Sequence, residues 1–205
     1  MSNGALRLAS ILALGAIASS GKKGQRNVLS VQDLRALIPE LRQRWFEAWN
    51  DEEYDEDLDD FELSEYGPIP QAVKDWWEKK TGTTYLGHGN YRIVFDMHNG
   101  RVIKLALDYH GEGENRAQIE SWNDLYDTDL GQLLAPLVDG DDDYVVMVKA
   151  KPIDQNNPQI VEMVNEASRQ VEQLQDEHGI SDTASLSNWG LLGGRVVLID
   201  YAHEF

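Results

Sequence analysis

A chain of 205 residues, 41% hydrophobic and with six tryptophans, is long enough for one domain with a well-filled core or a small domain with an appendage. Its net charge of −18 repels phosphate backbones, so no nucleic-acid partner is expected. The lack of cysteine excludes disulfides, thiolate zinc sites and a cysteine nucleophile.

Residues 1–27 stand apart. An apolar stretch, Leu8 to Ala18, follows Arg7 and precedes Lys22 and Lys23. It is short for a transmembrane span. It fits the apolar region of a secretory signal, a helix that packs or docks on a partner or a membrane surface, or a disordered leader.

From Ser30, leucines at 34, 37 and 41 and tryptophans at 45 and 49 recur at helical spacing, with Ser30 as cap and Pro39 as a kink or break. The carboxylate-rich stretch Asp51 to Pro70 lacks the glycine and ligand alternation of a calcium loop and reads as a solvated linker. "PQAVKDWWEKKTG" predicts a short helix closed by Gly82. These features divide the chain into a leader (1–27), a helical appendage with an acidic linker (28–82) and a main domain (83–205).

The main domain begins with two alternating runs, Tyr91 to Met97 and Arg101 to Leu107, joined by the hairpin signal "HNG". "GENRAQIESWNDLYDT" follows as a helix, then two strands around an acidic turn in "LLAPLVDGDDDYVVMVKAKPI". Ile160, Val164, Ala167, Val171 and Leu174 align on a long helix that should end at Gly179. A loop and two last strands, ending in "RVVLIDYAHEF", complete an α+β order with mostly antiparallel strands. His88, His98, His110, His178 and His203 show no ligand spacing, and no Gly-x-Ser-x-Gly elbow occurs.

Four features carry chemistry. Gly87 and Gly89 lie in a turn where backbone amides could approach an anion. Lys104 lies inside an apolar strand, where it must reach solvent or a fixed anionic partner. Glu120 on the next helix is a candidate partner, with Glu114 and Gln118 as neighbouring alternatives. "SDTASLSNWGLLGGRVVLIDYA" then brings Asp182, Asn188 and Asp200 around a hairpin.

In this order the features resemble the protein kinase-like fold, and "NWGLLGGRVVLIDYA" is similar to the Asn-x-Gly, strand, Asp hairpin of small bacterial and phage kinase-like proteins. The resemblance spans about residues 83–205. It implies an antiparallel N-lobe sheet with one helix, followed by a C-lobe truncated five residues after Asp200. It also implies ATP and Mg2+ as cofactors: Gly87, Gly89 and Lys104 for the phosphates, Glu120 to hold Lys104, Asp182 as catalytic base, and Asn188 and Asp200 as metal ligands. The hinge would lie near Val148 to Lys151. The departures are specific. Arg92 stands where a third glycine is usual, "ISD" replaces His-Arg-Asp, and Asp182 precedes Asn188 by six residues where five would place Thr183 at the base position. They favour a pseudokinase used as a binding or structural module, intracellular or virion-associated, docked through its N-terminal segment. The alternatives are a minimal phosphotransferase and an α+β domain with no nucleotide site.

Overall fold

The computed structural model describes residues 28–50, 69–172, 180 and 183–201. The leader 1–27, the acidic stretch 51–68, Leu174, Gly179 and Asp182 lie outside them, as do His178 and His203. Among the described residues the architecture is α+β, with antiparallel strand pairing in two sheets.

Helix α1 (Val31–Ala36) starts at Ser30, whose hydroxyl accepts the Asp33 amide at 3.2 Å, and α2 (Ile38–Asn50) follows after Leu37. Pro39 sits in the first turn of α2, where its missing amide costs nothing, so the proline splits the helix. Helix α3 (Gln71–Thr81) stops at Gly82, whose φ of 76° is a left-handed conformation that glycine adopts without strain.

Strands β1 (Thr84–His88), β2 (Arg92–Asp96), β3 (Arg101–Ala106), β4 (Leu137–Gly140) and β5 (Tyr144–Val148) form one antiparallel sheet in the order β1-β2-β3-β5-β4. Helix α4 (Tyr109–Leu125) connects β3 to β4, which lie on either side of β5. A second sheet, β6-β7-β8, joins Lys151–Pro152, Trp189–Leu192 and Arg195–Leu198. Between β6 and β7 runs α5 (Pro158–Glu172), burying Val164, Ala167 and Val171 as its spacing predicts. Gly193 and Gly194, both at positive φ, close the β7–β8 hairpin.

The two faces of the larger sheet bury different partners. Ile93, Phe95, Ile103, Leu105 and Val146 share one core with Leu34, Leu41 and Trp77, so helices α1 to α3 cover this face. Trp77 stacks on Phe95 with ring centroids 5.3 Å apart. Arg42 of α2 adds polar ties, to the Ala106 carbonyl at 3.0 Å and to Glu112 of α4 at 3.0 Å. Residues described from the appendage therefore form one body with the sheet. Val145, Met147 and Leu137 belong to a second core with α5, β7 and β8.

Because side chains alternate along a strand, placing Ile93, Phe95, Ile103 and Leu105 in the first core turns Arg92 and Lys104 to the opposite face, toward α4 and β8. Fully burying apolar side chains of this size stabilises by about 1.5–3 kcal/mol each. That apolar register fixes where the two cations go.

Candidate functional site

Arg92 and Lys104 meet a carboxylate from the far end of the chain. The Lys104 ammonium donates to Asp200 Oδ1 at 2.9 Å, to the Ile199 carbonyl at 2.9 Å and to Gln118 Oε1 at 3.3 Å. Arg92 Nη2 donates to that same Asp200 oxygen at 2.5 Å, and its Nη1 donates to Gln118 Oε1 at 2.8 Å. Arg92 Nε pairs with Glu114 Oε2 at 2.6 Å. The arginine is thus the hub, touching these three side chains, two on α4 and one just after β8, while only 3% exposed.

Local structure explains who takes part. Asp108 caps α4 by accepting the Gly111 amide at 2.9 Å, so the helix starts before the predicted Gly113. Gly111 is required there: a Cβ would sit 2.3 Å from the Tyr91 carbonyl oxygen and 3.0 Å from the Ala106 Cα. This close approach brings Glu114 and Gln118, one helical turn apart, over Arg92 and Lys104. Glu120 is exposed, two residues and about 200° around the helix from Gln118. The expected Lys104–Glu120 pair is therefore corrected to Lys104–Asp200, with Gln118 as the α4 contact.

The β7–β8 ladder places the other end. Trp189 pairs with Leu198, and the Ile199 amide donates to the Asn188 carbonyl at 2.7 Å, so Asn188, just before β7, lies opposite Ile199, the residue before Asp200. The preceding loop is pinned at Thr183, whose carbonyl accepts the Trp189 indole N–H at 2.8 Å and the Ser168 hydroxyl at 3.0 Å. Thr183 is buried, and Asp182 lies outside the described residues. Gly87 and Gly89 lie at the β1–β2 hairpin, where a Cβ on either would meet nothing within 4 Å. Tyr201 follows Asp200 into the core and donates to the Ala135 carbonyl at 3.0 Å.

Electrostatics follows burial. Burial lowers the Lys104 pKa to about 8, with the Asp200 charge opposing that fall and the neighbouring Arg92 adding to it. For Asp200 burial pushes upward, but Lys104 and Arg92 together outweigh it and hold the carboxyl well below the usual carboxylate range. Burial raises Glu114, only partly offset by Arg92.

The donor set fits a divalent cation poorly. Magnesium takes hard oxygen ligands in a near-octahedral shell, but Asp200 Oδ1 already accepts from two cations and Glu114 is held by Arg92. None of these residues lines the open groove of about 820 Å³ between α5 and β8, which is bordered by Leu133, Pro158, Met163, Arg195 and Val196. No helix among the described residues is long and apolar enough to cross a membrane. Compared with protein-family models and with curated proteins, the chain matches none.

Proposed function

We propose that the chain is a kinase-like fold used as a binding or structural module, its former phosphate-and-metal cleft held shut by its own side chains. Strand order β1-β2-β3-β5-β4 with α4 between β3 and β4 supports the kinase-like part. So does the meeting of a β3 lysine with the aspartate that follows β8. The module reading is carried by one observation: Lys104 and Arg92 share a single oxygen of Asp200. A lysine needed for nucleotide phosphates and an aspartate needed for magnesium are instead satisfied by each other and by Arg92. Opening that network would leave the buried Arg92 and Lys104 without their counter-charges, which is costly.

The leader 1–27 is the proposed attachment point. Its apolar run Leu8 to Ala18 is flanked by Arg7, Lys22, Lys23 and Arg26, and the segment holds no acidic residue. The partner is a protein assembly; the resemblance to small phage kinase-like proteins makes a virus particle the first to test.

Thermal unfolding of the full chain with millimolar ATP, with and without Mg2+, tests the reading, together with an assay for phosphate released from ATP. The expected result is no magnesium-dependent shift and no release. A shift that requires magnesium, with ATP turnover lost in Asp200→Ala, overturns the module in favour of a minimal phosphotransferase. Deleting residues 1–27 should abolish co-sedimentation with the assembly and leave the unfolding temperature unchanged.

A further inference from the structure

We propose that the Arg92 guanidinium stands in for a divalent cation on Asp200, closing this site to metal. The inference rests on the kinase-like reading above for the expectation that Asp200 would be a metal ligand. Everything else comes from the cluster itself.

Two cations, Arg92 and Lys104, face two carboxylates, Glu114 and Asp200, so the cluster is balanced in charge without any ion. The arginine is held on every nitrogen: Nε by Glu114, Nη1 by Gln118 at 2.8 Å and by Asn115 at 3.4 Å, and Nη2 by Asp200. Asn115 is itself tied down, donating to the Asp142 carbonyl at 2.9 Å, while the Gln118 amide points to the Met147 sulfur at 3.1 Å. Arg92 therefore cannot swing away without breaking bonds to three α4 side chains.

A divalent ion on Asp200 would sit beside two positive groups already bound to its Oδ1. Asp200 is partly exposed, but Arg92 and Lys104 are buried, so a further positive charge at that oxygen is repelled by two cations that water screens little. Arg92 supplies a positive charge at the aspartate and, through its planar fork, spans the aspartate and the helix glutamate together. A flexible lysine could not make that span.

Manganese titration of the full chain, followed by the electron paramagnetic resonance signal of free Mn2+, tests this. Wild type, Asp200→Asn, Arg92→Ala and the double variant are compared, so the weak sites of an acidic surface cancel. Wild type and Asp200→Asn should bind the same number of ions with the same affinity. Arg92→Ala should gain one site at least tenfold tighter than the background, absent in the double variant. A wild-type site that Asp200→Asn removes overturns the inference, and so does a folded Arg92→Ala that gains none. If circular dichroism shows Arg92→Ala unfolded, the comparison of wild type with Asp200→Asn decides. A manganese site without ATP turnover sinks this inference and leaves the binding module standing. ATP turnover sinks the module whatever manganese does.

Discussion

Replacing Arg92 should destabilise the fold more than replacing Lys104, although the lysine is the residue that the resemblance singles out. Lys104→Met removes three contacts, but two of the acceptors keep another donor: Asp200 and Gln118 Oε1 still receive from Arg92 at 2.5 and 2.8 Å. Only the Ile199 carbonyl loses the donor shown for it. An unsatisfied buried acceptor costs about 1–3 kcal/mol, and removing a buried ammonium returns part of that by ending its own desolvation penalty. The net loss should be about 1 kcal/mol.

Arg92→Met strips Glu114 of its cation and Asp200 of one of two. Removing one partner of a buried ion pair costs about 3–5 kcal/mol. The Asp200 side chain is 44% exposed, so solvent screens part of its share. A loss of about 3 kcal/mol remains, which a domain of ordinary stability, about 5–15 kcal/mol, survives. Urea unfolding at pH 7, fitted with a common slope, reads the two variants side by side. Expected is a midpoint for Arg92→Met below that of Lys104→Met by about 2 kcal/mol divided by the slope. Equal midpoints, or a lower one for Lys104→Met, would refute the assignment of Arg92 as hub.

The glycines should separate by role: Gly111→Ala drives a Cβ to 2.3 Å from the Tyr91 carbonyl oxygen and should cost at least about 2 kcal/mol, whereas Gly87→Ala and Gly89→Ala, in open space, should stay within about 0.5 kcal/mol of wild type. Thermal melts decide, and an unaffected Gly111→Ala would mean that α4 is not docked as described. In acid, the contribution of Asp200 is fully present above its ordinary pKa of 3.8 and is lost as the pH falls toward its lowered folded value. Stability should therefore drop more steeply below pH 4 in wild type than in Asp200→Asn; parallel curves would remove the ion pair from the account. In alkali, the unfolded chain holds the Lys104 proton up to about 10.5 and the folded one only to about 8, so this group makes stability rise across that window. Lys104→Met should abolish that component of the urea midpoint profile between those limits, and an unchanged profile would mean the lysine is not buried.

Much of the architecture was legible because it follows from period and punctuation. Gly82, the "HNG" turn and the Gly193–Gly194 pair mark ends and hairpins by backbone conformation alone. The apolar stripe of α5 showed its buried face in the same way. What that reasoning could not show was the partner of each face. The stripe of α1 and α2 was visible, but that it covers the first face of the larger sheet depends on contacts between residues some sixty apart, such as Arg42 with the Ala106 carbonyl. Two-residue β6, half of it proline, carries no strand signal at all.

The site divides along the same line. Lys104 and Asp200 stood out because a charge inside or beside an apolar strand needs an explanation. Glu120 was the wrong helix residue because α4 starts four residues before the expected Gly113, where close approach to Tyr91 and to Ala106 of β3 gives Gly111 its reason. With the helix phase unknown by even one residue, the face turned to Lys104 moves by 100°. Arg92 carried a signal that the glycine pattern obscured. It falls at the position of an expected third glycine and on the same sheet face as Lys104, since the two are separated from their apolar neighbours by single steps in paired strands. A cation placed by register beside a buried lysine must be neutralised. The chain holds two carboxylates and a glutamine within reach to do it, Glu114, Asp200 and Gln118.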